Sequence, residues 1–185
     1  MAREQVDLTE PLLLYVLVPR WLAAGFADWL CHRRACLAST SGPKESLLHL
    51  LMFAEVGVPL LAALLLQINS GWFVLAIVAF FAHEATALWD VSYATRTRWV
   101  GPVEQHVHSF LEMIPLMGIL LMAVRHGDAL LALIGLGTQP PQFALQWKDP
   151  PLPPAYLGCL LAAIVWLELV PYLQELRRGL RRYRA

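Results

Sequence analysis

Charged residues are scarce in this chain: they make up 15% of its 185 positions, while 58% are hydrophobic. An ordinary soluble domain carries about 25% charged residues and about 45–50% apolar ones. The shortage argues against a soluble fold and for an integral membrane protein of one domain, spanning 1–185. A surplus of positive charge is also missing: the formal net charge is zero, which excludes the general basic surface that nucleic acid requires. Cysteine is sparse. Cys31, Cys36 and Cys159 form no C-x-x-C pair and no disulfide framework. Cys31 adjoins His32 but reads as apolar packing rather than a soft ligand. No basic n-region precedes the first apolar run, and no small-residue cleavage site follows it, so this run is expected to be retained as a transmembrane helix.

What the chain does have is apolar length. A spanning helix needs about 20 mostly apolar residues. Five segments qualify, at about 11–32, 47–67, 72–91, 105–124 and 155–173. The predicted fold is all-α and polytopic: a four-helix bundle of the first four spans carrying the site, plus a fifth helix. Turn formers fill the short connections (Ser41-Gly42-Pro43, Asn69-Ser70-Gly71, Gly101-Pro102). The longer connection, 125–154, is proline-rich and holds an apolar run at 129–136 that is too short to span and suits an interfacial or re-entrant segment.

Positive residues set orientation. Arg33, Arg34 and Lys44 follow span one, and Arg96 and Arg98 follow span three. Five arginines, with no acid, occupy 177–184 in the tail 174–185. All three segments fall on one side, which is expected to be cytoplasmic, with the N-terminus outside. Arg3, Arg125 and Lys148 fall on the other side. The tail arginines also suit anionic headgroups of membrane lipids. Trp29, Trp72, Trp89 and Trp99 sit at span ends and read as interfacial anchors.

Against this apolar background, nine ionisable residues stand out: Asp28 and His32, Glu45 and His49, His83 and Asp90, then Glu104, His108 and Glu112. A bilayer tolerates such groups when they are paired, face a bundle interior or bind something. The topology puts all nine in the cytoplasmic half. Most recur at four-residue spacing, and His83 and Asp90 at seven, so each helix offers one polar stripe. Glu45-x-x-x-His49 and Glu104-x-x-x-His108 hint at an internal duplication, each following a helix that ends in adjacent Asp and Trp (Asp28-Trp29, Trp89-Asp90).

Carboxylate with imidazole suits iron, manganese or zinc, and nine candidates exceed what one tetrahedral zinc needs. The expected cofactor is therefore two metal ions, iron first and zinc as the alternative. Haem fits poorly because carboxylates flank every histidine. All nine residues are the expected metal set, with Glu45, Glu104 and Glu112 also assigned catalytic roles. His106 is expected to face away in an outer position, Glu84 to meet a neighbouring helix, and His126 to be solvated. Arg20 and Glu168 reach similar depths and suggest an intramembrane ion pair, with Glu55 a competing partner.

The H-x-x-H-H boxes of membrane fatty-acid hydroxylases and desaturases are absent. Asp28-x-x-x-His32 with the later His49 resembles the ligand pattern of the membrane copper monooxygenase C subunit; the additional glutamates point to a harder metal than copper. The expected function is a membrane-embedded non-haem di-iron oxidoreductase, a monooxygenase of lipid metabolism. It would act on a lipid-like or small apolar substrate with an electron donor. The alternatives are a di-zinc hydrolase and a metal-holding accessory or transport subunit.

Overall fold

The computed structural model describes residues 7–183; Arg3 and Arg184, which entered the charge argument, lie outside them. Five helices are long and apolar enough to cross a membrane, and the chain is an integral membrane protein. They are α1 (Thr9–Arg34), α2 (Pro43–Leu65), α3 (Ser70–Thr97), α4 (Pro102–Arg125) and α6 (Pro154–Tyr183). A short helix, α5 (Gly127–Ala132), follows α4. The 23 residues of α2 rise about 35 Å, enough for a hydrocarbon core of about 30 Å.

The helices start where the sequence places start signals. Asn69 caps α3 by accepting a hydrogen bond from the Trp72 backbone N–H at 3.1 Å, a cap worth about 1 kcal/mol. Proline opens α2 and α4, where its missing N–H costs nothing. Pro59 and Pro115 sit inside helices. The Trp72 indole N–H donates to the Pro59 carbonyl at 3.0 Å. Trp72 is thus buried in the core and is not an interfacial anchor; Trp89 and Trp99 are exposed.

The arrangement differs from four helices with a fifth appended. α2 packs on α3, α3 on α4 and α4 on α1, while α6 packs against both α1 and α2 and closes a five-membered ring between them. Its C-terminal half rests on the α1–α2 connection, where Gly179 lies so close to Pro43 that a Cβ would stand 3.0 Å from the Pro43 nitrogen. Charge bias could not reveal this. The tail arginines read as an orientation signal and a surface for anionic headgroups, yet Tyr172, Glu175 and Gly179 on the same helix are buried.

Burial is inverted relative to a soluble protein. Val78, Phe81, Leu88 and Val124 are exposed on the outer surface, while Asp28, His32, Glu45, His49, Asp90, Glu104, Glu168 and Glu175 are buried. Apolar side chains facing outward and ionisable ones facing inward suit hydrocarbon as the surrounding solvent. At the end away from the tail, α5 and the proline-rich segment cover the α2–α3 turn. Lys148 N–H donates to the Leu65 carbonyl and Gln67 N–H to the Gln146 carbonyl. The run 129–136 thus caps the bundle end, with Ala132 buried. Arg125 pairs there with Asp7 and Glu10.

Candidate metal centre

Every long helix delivers a side chain to one end of the bundle. Asp28 and His32 lie on the last turns of α1, Glu45 and His49 on the first turns of α2, and Asp90 late in α3. Glu104 and His108 lie early in α4, and Glu175 on α6.

Three overlapping groups have ligand-type atoms within 4.8 Å of one another: Asp28, His32, Glu104 and His108; Glu45, His49 and Asp90; and His32, His49 and Glu175. Seven of the nine sequence candidates are therefore brought together. His83 and Glu112 are not. They line the cavity beneath the cluster, and His83 Nδ1 stands 3.9 Å from Glu55, which accepts a hydrogen bond from the Thr86 hydroxyl at 2.9 Å.

The first two groups share an Asp, a Glu and a His in the same arrangement. In one, His108 Nε2 lies 2.9 Å from Asp28, and Glu104 is four residues before His108. In the other, His49 Nε2 lies 3.3 Å from Asp90, and Glu45 is four residues before His49. Each Glu-x-x-x-His thus meets an aspartate from the other half of the α1–α4 set. A duplicated helical hairpin with a pseudo-two-fold axis produces this exchange. His32 breaks the symmetry; its Nε2 is 3.3 Å from Asp28 and 3.6 Å from Glu104.

The spacing suits a shared cation. Two ligand atoms held about 2.1 Å from one ion stand about 3.0–3.4 Å apart. Among the histidine contacts of the cluster, only His49 Nδ1 to Glu175, at 3.3 Å, is aligned as a hydrogen bond. Asp28 Oδ1, both His32 nitrogens, His49 Nε2 and Asp90 Oδ1 are buried without an aligned hydrogen bond, a polar cost that a bound ion would offset. These buried groups could hold a metal ion.

Two members were missed in the sequence. Glu175 spans both imidazoles, with its two oxygens each 3.3 Å from the Nδ1 of His32 and of His49; Ser46 also donates to it at 3.2 Å. The signal was available: Glu168, Tyr172 and Glu175 fall at i, i+4 and i+7 on one helix face. Arg98, read only as a topology residue, clamps Glu45 and Glu104. Its Nη2 lies 2.5 Å from each carboxylate, with further bonds from Nε to Glu45 and from Nη1 to Glu104. Burial opposes its charge, but the Glu104 and Glu45 carboxylates bonded to it raise its pKa above the arginine value. Five carboxylates (Asp28, Glu45, Asp90, Glu104, Glu175) face one guanidinium, an excess of four negative charges when the imidazoles are neutral.

The expected Arg20–Glu168 ion pair is corrected, whereas His106 and Cys31 stand apart from the cluster as expected. Arg20 is exposed and makes no ion pair among the described residues, while Glu168 turns into the bundle against Gly25. The two sit on opposite sides of the α1 wall, so matching depth did not bring them together. His106 is exposed and packs edge-on against Phe110, with ring centroids 5.2 Å apart. Cys31 joins none of the three groups.

No protein-family model matches this chain, and neither a curated protein nor a solved structure resembles it.

Proposed function

We propose that this protein is a membrane-embedded, metal-dependent oxidoreductase with a non-haem di-iron centre. The observation that carries the reading is the pair of equivalent groups, Glu104–His108 with Asp28 and Glu45–His49 with Asp90. Two divalent ions would balance the four excess negative charges. A donor set this rich in carboxylate favours iron or manganese over copper. Glu175 has the position of an orienting carboxylate, turning the Nε2 atoms of His32 and His49 toward the centre.

Bound iron would supply O2 activation. The reaction inserts one oxygen atom into a substrate C–H bond and releases the other as water, consuming two electrons and two protons from an external donor. The chain's own residues bind and orient. His32, His49 and His108 would be the nitrogen donors and Asp28 and Asp90 the oxygen donors opposite them, with Glu45 and Glu104, both bonded to Arg98, as further carboxylates beside the centre. Glu112, which lines the cavity without an ion pair among the described residues, is placed to move protons. His83 lies too far from the three groups to be assigned as a ligand in this account. The basic end of the bundle is assigned to the cytoplasm, where soluble reductants reach it.

One observation favours a second reading. Arg98 already occupies Glu45 and Glu104, which leaves Asp28, His32 and His108 as a three-residue set that suits a single hydrolytic zinc. Iron-loaded protein in nanodiscs, reduced without oxygen and then exposed to O2 with an apolar substrate, separates the two. The expected result is iron-dependent O2 uptake with a product gaining one oxygen atom. Ester cleavage by zinc-loaded protein, with no O2 uptake by the iron form, would overturn the di-iron reading.

A further inference from the structure

Beneath the cluster a cavity of about 60 Å³ lies between Asp28, His49, Asp90 and His108 and the aromatic side chains Trp21, Phe53 and Tyr172. It meets a second space at Trp21 and Val56, which line both. That second space is a mainly apolar cleft, with Glu55 at its near end, running toward the other bundle end between Leu17, Pro59, Ala76, Ile114 and Gly118. Neither space is lined by a lysine or an arginine.

Glu168 is the unexplained group in this cavity. It is 2% exposed, and its Oε1 is buried without a hydrogen-bond partner. It belongs to neither Glu-x-x-x-His group and has no cation beside it among the described residues. The helix carries it on a π-helical turn, Val165–Leu169; such turns recur at functional sites. The fold keeps room for it: at Gly25 a Cβ would stand 2.3 Å from Glu168 Oε2. A buried carboxylate held without a partner, at a cost of several kcal/mol in a membrane, suits a ligand that supplies the missing charge.

We propose that this cavity binds a single-chain amphiphilic amine, with its nitrogen against Glu168 and its chain along the apolar cleft. An amine and a carboxylate together are neutral whichever holds the proton, so the pair enters a low-dielectric site at small cost. The faces of Trp21, Phe53 and Tyr172 suit an ammonium group. A fatty-acid carboxylate would meet Asp28, Asp90, Glu112 and Glu168 as like charges. An alcohol can share a hydrogen bond with Glu168 but brings no basic nitrogen to take up its proton as an ion pair. The cleft follows the bundle axis, which aligns a bound chain with those of the surrounding lipid. As a substrate, the amine rests on the oxidoreductase reading, because its polar end lies beneath the metal groups; as a ligand it does not.

The test uses the purified full chain in nanodiscs and three ligands of one chain length: dodecylamine, dodecanol and dodecanoate, titrated by native mass spectrometry. One equivalent of amine is expected to bind at least tenfold more tightly than either of the others. Glu168→Gln is expected to remove that preference without changing metal content. Equal binding of amine and alcohol, or an unchanged preference in Glu168→Gln, would overturn the proposal. Carbodiimide coupling of dodecylamine to the unmutated chain asks the same question should the variant fail to fold. A label mapped to Glu168 supports the proposal, and a label elsewhere or none opposes it. Metal analysis of the same samples keeps the readings apart. Metal-free protein that prefers the amine sinks the oxidoreductase reading alone, and metal-loaded protein with no preference sinks this inference alone.

Discussion

His32 and His49 lie face to face, their ring centroids 4.2 Å apart and their planes 6° from parallel. Both turn Nδ1 toward Glu175 and leave Nε2 for the cluster. Two buried imidazoles stacked this closely repel when both are protonated. With Glu175 on the Nδ1 side of both rings, the Nε2 side of each is the one presented to the cluster, the orientation in which an imidazole can ligate a metal.

Glu175→Gln therefore tests the role of the α6 helix. An amide still fits the space but carries no charge and presents one acceptor where the carboxylate had two. Metal affinity, measured by competition with a calibrated chelator, is expected to fall about 10–100-fold, the usual effect of losing an orienting partner. An unchanged affinity would make Glu175 a packing residue.

Arg98 ties together two carboxylates that would otherwise repel. Arg98→Met keeps the unbranched stem and removes the guanidinium, leaving Glu45 and Glu104 buried without their shared cation. Without added metal the variant is expected to lose about 3–5 kcal/mol of stability. Thermal unfolding in detergent should show this loss shrinking when iron or zinc is supplied, because the ion takes over the charge balance. A loss that metal does not repair would mean that Arg98 is structural.

Orientation can be read through a native thiol. Cys36 is exposed in the connection between α1 and α2, at the basic end. In intact cells carrying the Cys31→Ser, Cys159→Ser form, a membrane-impermeant maleimide is expected to leave Cys36 unlabelled until the membrane is permeabilised. Labelling of intact cells would invert the topology and put the cluster outside.

The sequence carried the periodic part of this structure and lost the azimuthal part. Apolar runs and proline or asparagine starts gave five helices, with ends within a few residues except for α6, which continues about ten residues beyond its predicted end. Spacing of four showed that Glu45 shares a face with His49, and Glu104 with His108. It could not say which way each helix is turned about its own axis, so His83 and Glu112 look equivalent to the seven convergent residues until packing separates them. Glu175 is hidden by its surroundings: five arginines nearby make the segment read as an orientation signal and a headgroup-binding tail. The pairing of Arg20 with Glu168 was inferred from depth alone, and depth does not determine which face of a helix a residue occupies.

The most direct test of the metal centre is elemental analysis, with an absorption spectrum, of purified protein loaded under iron and zinc supply, for the unmutated chain and His108→Ala. About two irons per chain, lost in large part in His108→Ala and without a Soret band, is the expected result. Protein that holds no stoichiometric metal under these conditions would contradict the account and leave the cluster as a charge network closed by Arg98.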